Sequence, residues 1–234
     1  MKKGTKAMTL NIIYEDKDIL VCFKPAGVAT QTASVSQQDM VSLIKKYLGK
    51  QGGKAPYVGI IHRLDQPVSG LLVFAKNPQA AAELSRQIQN GIANKHYIAF
   101  CEGGPEKKQG TLIHYIRKNS MTKLAEISSK EAQGEYKKAV LDYEVEKELE
   151  DASIIKVHLQ TGRFHQIRAQ FSFIGNPLLG DTKYGTNTSK ELSMRRKINK
   201  VALCAYRLVL KHPGTGKTLE FTLDEKYLPE WYKA

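Results

Sequence analysis

Residues 57–77 read YVGIIHRLDQPVSGLLVFAKN, and this stretch sets the expected fold. Two apolar runs, VGII and GLLVFA, flank a polar turn that contains Gln66, Pro67 and Gly70. Apolar runs of this length between turn residues are typical of buried strands. The stretch therefore predicts two buried strands, with Arg63 and Asp65 at the end of the first.

The segments on both sides of this stretch carry strand and helix patterns. Apolar runs between turn residues predict further strands in the segments 11–14, 19–23, 95–103 and 201–223, and alternating apolar and polar residues predict strands in 137–151 and 152–162. Apolar spacing and end residues predict helices in the segments 36–50, 77–91 and 163–175. We expect one α+β domain over residues 10–234, with a mixed, mostly antiparallel sheet flanked by helices and loops, after a flexible N-terminus of residues 1–9.

The composition limits the kind of partner. The 234 residues carry a formal net charge of +13, which favours a polyanionic partner such as a nucleic acid. No segment reaches the roughly eighteen unbroken apolar residues of a membrane span, so we expect a cytoplasmic protein without a membrane partner. The three cysteines stand far apart in apolar runs, which predicts buried, reduced thiols. The six histidines lack metal-ligand spacing, so no metal site is expected.

Arg63 and Asp65 are open to two interpretations. In an extended segment their side chains leave the same face and can form an ordinary surface ion pair. Alternatively, a carboxylate at the end of a buried sheet is held ionised to do chemistry.

Two further stretches carry candidate site residues. In TGRFHQIRAQF, residues 161–171, the side chains of Arg163, His165, Gln166 and Arg168 cluster at the start of a predicted helix. Such a cluster is either a solvated helix face or an anion site. Tyr97 alternates with apolar residues in a predicted strand, where a buried structural tyrosine is the usual explanation.

Taken together, these stretches resemble one family. HRLDQPVSGLLVFAKN, KHYIAF and TGRFHQIRAQFSFIGNPLLGDTKYG occur in the order and approximate spacing of the RluA-type RNA pseudouridine synthases. The early YEDKDILVCFKPAG and the late ALCAYRLVLKHPGTGK extend the resemblance to about residues 10–225.

The resemblance implies isomerisation of uridine within ribosomal or transfer RNA. The N-glycosidic bond breaks, the uracil rotates, and it is rejoined through carbon five, with a catalytic cleft across the sheet and no metal or organic cofactor. Asp65 matches the catalytic aspartate, Tyr97 the tyrosine beneath the target base, and Arg168 the basic partner of the aspartate. The predicted RNA-contacting residues are His62, Arg63, Arg163, His165, Gln166 and Lys183.

The chain departs from the family pattern at several positions. Gln66-Pro67-Val68 replaces a Lys-Asp-Thr-like triplet, Phe164 replaces a small or polar residue, and Asn176 stands where histidine is frequent. The chain begins close to the catalytic core, so we expect no separate RNA-binding domain in front. No coiled-coil pattern or large exposed apolar helix stands out, so we expect a monomer. The rival interpretation is an RNA-binding protein of the same fold without turnover; a basic structural protein of ribosomes is disfavoured because it needs no buried aspartate.

Overall fold

The computed structural model describes residues 9–34, 37–50, 55–131 and 133–233. The expected flexible N-terminus, residues 1–9, lies outside the described residues except for Thr9. No helix within the described ranges is long and apolar enough to cross a membrane.

One sheet organises the described part of the chain. Its strands are β1 (Asn11–Glu15), β2 (Ile19–Lys24), β3 (Gly59–Ile60), β4 (Ser69–Ala75), β5 (Asn94–Glu102), β6 (Gln109–Lys118), β7 (Ala125–Ser128), β8 (Lys137–Glu148), β9 (Ala152–Leu159), β10 (Leu203–Lys211) and β11 (Thr218–Thr222). The helices are α1 (Met40–Gly49), α2 (Pro78–Gln89), α3 (Gln166–Phe173), α4 (Asn187–Arg195) and α5 (Glu230–Lys233), with a 3-10 turn at Glu225–Tyr227.

The strand order is β1-β2-β4-β10-β5-β9-β8-β6-β7, with β3 added to β4 and β11 added to β10. Neighbouring strands are antiparallel except for β4 and β10, which pair in parallel at Cys204↔Ser69 and Ala205↔Gly70. The predicted fold class, a mixed and mostly antiparallel sheet with helices, is confirmed.

The core lies on both faces of β4, because successive side chains of a strand point to opposite faces. Leu72 and Phe74 pack on one face, in the cluster that includes Ile44 of α1 and Phe171 of α3. Leu71 and Val73 pack on the other face, with residues of α2 and β10. The three cysteines are buried and unpaired, as predicted.

The helix ends follow local signals in the sequence. The Asp39 side chain accepts a hydrogen bond from the Ser42 N–H at the start of α1, in a capping box. At the start of α2, the Asn77 side chain accepts from the Ala80 N–H, and Pro78 occupies the first turn. The helix predicted within 163–175 is present but shorter, because it begins only at Gln166.

The strand predicted over residues 57–65 is wrong for most of its length. Only Gly59 and Ile60 pair with β4, opposite Ala75 and Phe74. At Ser69 and Gly70 the same edge of β4 is taken by β10, so residues 61–65 leave the sheet. The Thr30 hydroxyl then satisfies the Leu64 backbone, accepting from its N–H at 3.2 Å and donating to its carbonyl at 3.1 Å. This departure places Asp65 outside the sheet, where a cavity opens.

The parallel contact between β4 and β10 depends on Gly70. Its φ is +134°, and an added Cβ would lie 2.4 Å from the Ala205 carbonyl oxygen and 2.5 Å from the Ala205 nitrogen. We therefore expect Gly70→Ala to lower the free energy of unfolding by at least about 2 kcal/mol. Urea denaturation measures this, with Gly49→Ala as the control, since a Cβ at Gly49 meets nothing within 4 Å. Equal stability of both variants would contradict the expectation.

Candidate active site

Three segments of the chain supply most of the lining of one cavity of about 510 Å³. The segment 61–68 forms one wall, β5 forms the floor, and the loop before α3 with the first turn of α3 forms the opposite wall. Eight of the nine predicted site residues line it: His62, Arg63, Asp65, Tyr97, Arg163, His165, Gln166 and Arg168. Lys183 is exposed and does not belong to the lining; its ammonium donates to the Lys123 carbonyl at 3.3 Å.

The Asp65 carboxylate faces the cavity and is bound by Arg168. Arg168 Nη1 donates to Asp65 Oδ2 at 2.9 Å, across 103 residues of sequence, and the Asp65 side chain keeps 27% of its surface exposed. The sequence-predicted contact between these residues is therefore present, whereas Arg63 is exposed at the cavity. A carboxylate fixed by one oxygen and open to solvent is able to meet a ligand in the cavity.

Asp181, which the sequence analysis missed, binds the two Arg168 nitrogens that do not contact Asp65. Arg168 Nε and Nη2 donate to Asp181 Oδ2 and Oδ1 at 2.6 and 2.8 Å, and the Asp181 side chain is fully buried. Burial opposes the charge of Arg168, but Asp181 and then Asp65 outweigh it and raise the pKa of Arg168. The guanidinium thus stays charged and is fixed in orientation. An aspartate that follows the apolar run PLLG was the available signal for Asp181.

Tyr97 lies in β5 and is 5% exposed. Burial, then the charge of Asp65, raises the pKa of Tyr97, so the phenol keeps its proton at neutral pH. Within the described part of the chain, no hydrogen bond holds its hydroxyl. Because Tyr97 lines the cavity, its hydroxyl is able to bond a ligand there.

His165 lies beside the carboxylate in an unusual backbone conformation. Its φ of 52° is left-handed, and its Nε2 is 3.7 Å from Asp65 Oδ2. The Tyr184 hydroxyl accepts from the Ala125 N–H and shares a second hydrogen bond, of 2.8 Å, with His165 Nδ1. Burial lowers the pKa of His165 to about 4 although Asp65 opposes the shift, so the ring is neutral at neutral pH.

The protein itself already engages several predicted RNA contacts. The Gln166 amide accepts from the Thr161 hydroxyl and the Arg163 N–H and donates to the Val140 carbonyl, which shapes the loop before α3. His62 Nε2 accepts from the Val73 N–H at 3.4 Å, and burial lowers the pKa of His62 to about 3. Both side chains serve the architecture of the cavity wall, and their contact with RNA stays a prediction.

A cluster of Asp16, Asp18 and His212 lies outside this cavity, with possible ligand atoms within 4.8 Å of one another. His212 Nδ1 accepts from the Gly214 and Thr215 N–H groups, so the ring proton is on Nε2, which donates to Asp16 at 2.8 Å. A protonated nitrogen cannot ligate a metal. The cluster instead joins the β1–β2 turn to the β10–β11 turn.

Comparison with known proteins relates this chain to enzymes that modify RNA. A sequence model of the RNA pseudouridylate synthase family matches residues 18–173. An uncharacterized RNA pseudouridine synthase of Aquifex aeolicus is 35% identical over 96% of this chain and 71% of the relative. The ribosomal large subunit pseudouridine synthase D of Zymomonas mobilis is 34% identical over 92% of this chain and 69% of the relative.

Solved structures agree with the fold. The human protein RNA Pseudouridylate Synthase Domain Containing 1 superposes with a TM-score of 0.76 at 23% identity, over 97% of this chain and 88% of that chain. RNA Pseudouridylate Synthase Domain Containing 4, also human, gives 0.75 at 22% identity, over 95% and 90%. At this identity the likeness concerns the fold alone.

The Asp181–Arg168 pair yields a stability prediction. Asp181→Asn replaces one acceptor oxygen by an amide that cannot accept from the buried guanidinium, so we expect the free energy of unfolding to fall by about 3 kcal/mol. Chemical denaturation measures the change. Asp151→Asn is the matched control, because Asp151 pairs with Arg195 and Arg196 on the surface, and we expect little effect there. Similar losses in the two variants would contradict a dominant role for the buried pair.

Proposed function

Because this chain belongs to the RluA-type family of RNA pseudouridine synthases, which are isomerases, we propose that it isomerises a uridine of ribosomal RNA with Asp65 as the catalytic carboxylate. The observation that carries the assignment of Asp65 is its contact with Arg168 in the cavity, at 2.9 Å. A charged guanidinium at this distance stabilises the ionised form of a carboxylate.

The reaction breaks the bond between C1′ and N1 and forms a bond between C1′ and C5. The C5 proton is lost, N1 gains a proton, and no electrons are exchanged. Positive charge develops on the ribose as the base leaves, and Asp65 stabilises C1′ either by bonding to it or through its negative charge. Arg168 acts through Asp65, which it orients through the hydrogen bond from Nη1.

Tyr97 supplies a surface for the released base. Its ring lies on the cavity floor, so uracil can stack on it while it turns from N1 to C5. The pKa of Tyr97 is raised, so the residue acts as a phenol, which can donate a hydrogen bond and relay a proton but carries no negative charge.

The substrate class is supported by charge and by one relative's name. The target uridine has to leave the RNA stack to enter the cavity, which costs a few kcal/mol. Arg63 and Arg163 at the cavity and the net charge of +13 provide phosphate contacts that offset this cost. The Zymomonas mobilis relative is named as a synthase of the large ribosomal subunit, which favours ribosomal over transfer RNA here.

The catalytic domain in this proposal comprises residues 10–234. The family match ends at residue 173, but β10 lies between β4 and β5 in the sheet and β11 is attached to it. Removal of the segment after residue 173 would expose the edge of β5 that carries Tyr97.

Tritium release tests the proposal. RNA labelled with tritium at uridine C5 loses the label to water if the isomerisation occurs. We expect the protein to release tritium from ribosomal RNA, and Asp65→Asn to abolish release while the melting temperature stays close to that of the unsubstituted protein. Asp224→Asn, an exposed carboxylate far along the chain, is the matched control and should retain the rate.

Three results would count against this proposal. Retained release in Asp65→Asn would overturn the role of Asp65. Release from transfer RNA alone would overturn the substrate class. Salt-sensitive RNA binding without release from any RNA would favour the rival protein that binds RNA without turnover.

A further inference from the structure

Lys95 is a buried cation on the cavity floor without a partner. It lies in β5 two residues before Tyr97, lines the same cavity, and is 7% exposed. Among the residues that the structure describes, no hydrogen bond or ion pair engages its ammonium. The Lys95 Nζ is not among the described side-chain atoms that are buried without a partner, so the ammonium opens into the cavity at the end of a buried stem. Its partial burial still disfavours the charge, so this arrangement needs a reason.

Lys24 is a second buried lysine of this chain, and it differs from Lys95 in the hydrogen bonds of its ammonium. It is fully buried, and its ammonium donates to the carbonyls of Pro25, Val28 and Gln66 at 3.1, 2.7 and 3.2 Å. All three donors of that ammonium are satisfied. Lys95 has no such set of acceptors, so its burial serves no comparable contact in the free protein.

The Asp65 carboxylate does not compensate Lys95. Burial lowers the pKa of Lys24 and Asp65 partly offsets the shift, whereas burial lowers the pKa of Lys95 without an offset from any described carboxylate. Lys95 instead faces His62 and Gly162. Burial and then the charge of Lys95 lower the pKa of His62, and a Cβ on Gly162 would lie 3.5 Å from Lys95 Nζ. The ammonium therefore belongs to a different part of the cavity from the catalytic carboxylate.

The surroundings favour a phosphate over the uracil itself. Arg63, Lys118 and Arg163 also line the cavity, which makes this wall basic. The uracil carbonyls are neutral before the reaction. A phosphodiester carries a full negative charge and can therefore pair with the Lys95 ammonium. The α-carbons of Lys95 and Tyr97 are about 7 Å apart along the strand, a separation that a base and a backbone phosphate of one RNA strand can bridge.

We propose that Lys95, left uncovered by Gly162, binds one backbone phosphate of the RNA strand that carries the target uridine. The inference rests on the proposed function, because it assigns the cavity to RNA. It adds a residue that contacts the strand rather than the reacting carbon.

Lys95→Met tests this subsite through binding and stability together. The probe is a fluorescent oligouridine, titrated by anisotropy at several salt concentrations. We expect affinity to fall about tenfold, as for loss of one hydrogen bond to a charged group. The slope of log affinity against log salt should become less steep by about 0.7, the value for one phosphate of a single strand. The melting temperature should stay equal or rise, because burial disfavours the charged form of Lys95 in the free protein.

Lys45→Met is the matched control, since Lys45 is exposed on α1 outside the cavity lining and its loss should leave affinity and slope nearly unchanged. A second variant, Gly162→Val, keeps the charge but covers it and should weaken binding in the same direction. A lower melting temperature for Lys95→Met with unchanged oligouridine affinity would assign Lys95 a structural role and overturn the subsite. Absence of oligouridine binding by the unsubstituted protein would also count against it.

Catalysis and binding separate the two proposals. If the unsubstituted protein releases no tritium from any RNA, the proposed function is contradicted, even if Lys95 binds oligouridine. Conversely, normal release with the same KM and the same salt slope in Lys95→Met would overturn only the phosphate subsite.

Discussion

The Arg168 guanidinium between two carboxylates is the interaction on which the candidate site depends. Two of its nitrogens donate to the buried Asp181, and a third donates to Asp65 at the cavity. Asp181 fixes the plane of the guanidinium, which leaves Nη1 aimed at Asp65. One buried pair thus orients a second carboxylate that stays 27% exposed and free to react.

The sheet brings these groups together from distant parts of the chain. The crossover of β10 between β4 and β5 occupies the edge that residues 61–65 would otherwise pair with, and so frees Asp65 from the sheet. β5 presents Tyr97 and Lys95 on one face, and α3 presents Arg168 from the opposite wall. Lys24, at the end of β2, donates a hydrogen bond to the carbonyl of Gln66, the residue after Asp65. This contact restrains the turn that holds the Asp65 carboxylate.

Local signals allowed part of this structure to be predicted. The cap at Asn77 with Pro78 and the apolar run of β4 are determined by a few adjacent residues, and both elements are present. The α4 helix was missed because the residues it buries are Ser189, Leu192 and Ser193, so its sequence shows hardly any apolar period. The long strand over 57–65 was wrong because pairing depends on which strand takes the β4 edge, and no local pattern encodes that.

The candidate site also divides into features that the sequence predicted and features that depend on the folded structure. The contact between Asp65 and Arg168 came from resemblance to a family, since residues 103 apart carry no local sign of proximity. Asp181 and Lys95 were missed because their importance lies in burial and in the presence or absence of partners. The sequence showed each as a single charged residue. The structure distinguishes an aspartate that accepts several hydrogen bonds from a lysine whose ammonium makes none with the described residues.

The most direct test of the account is the rate of tritium release by Arg168→Lys under single-turnover conditions. A lysine places a single point charge where the guanidinium spans both carboxylates, so it cannot hold Asp181 and aim Asp65 together. We expect the rate to fall by about a hundredfold, as for a small misplacement of a catalytic group, while RNA affinity stays nearly unchanged. An unchanged rate with normal RNA affinity would show that Asp65 needs no orientation by Arg168 and would contradict the account.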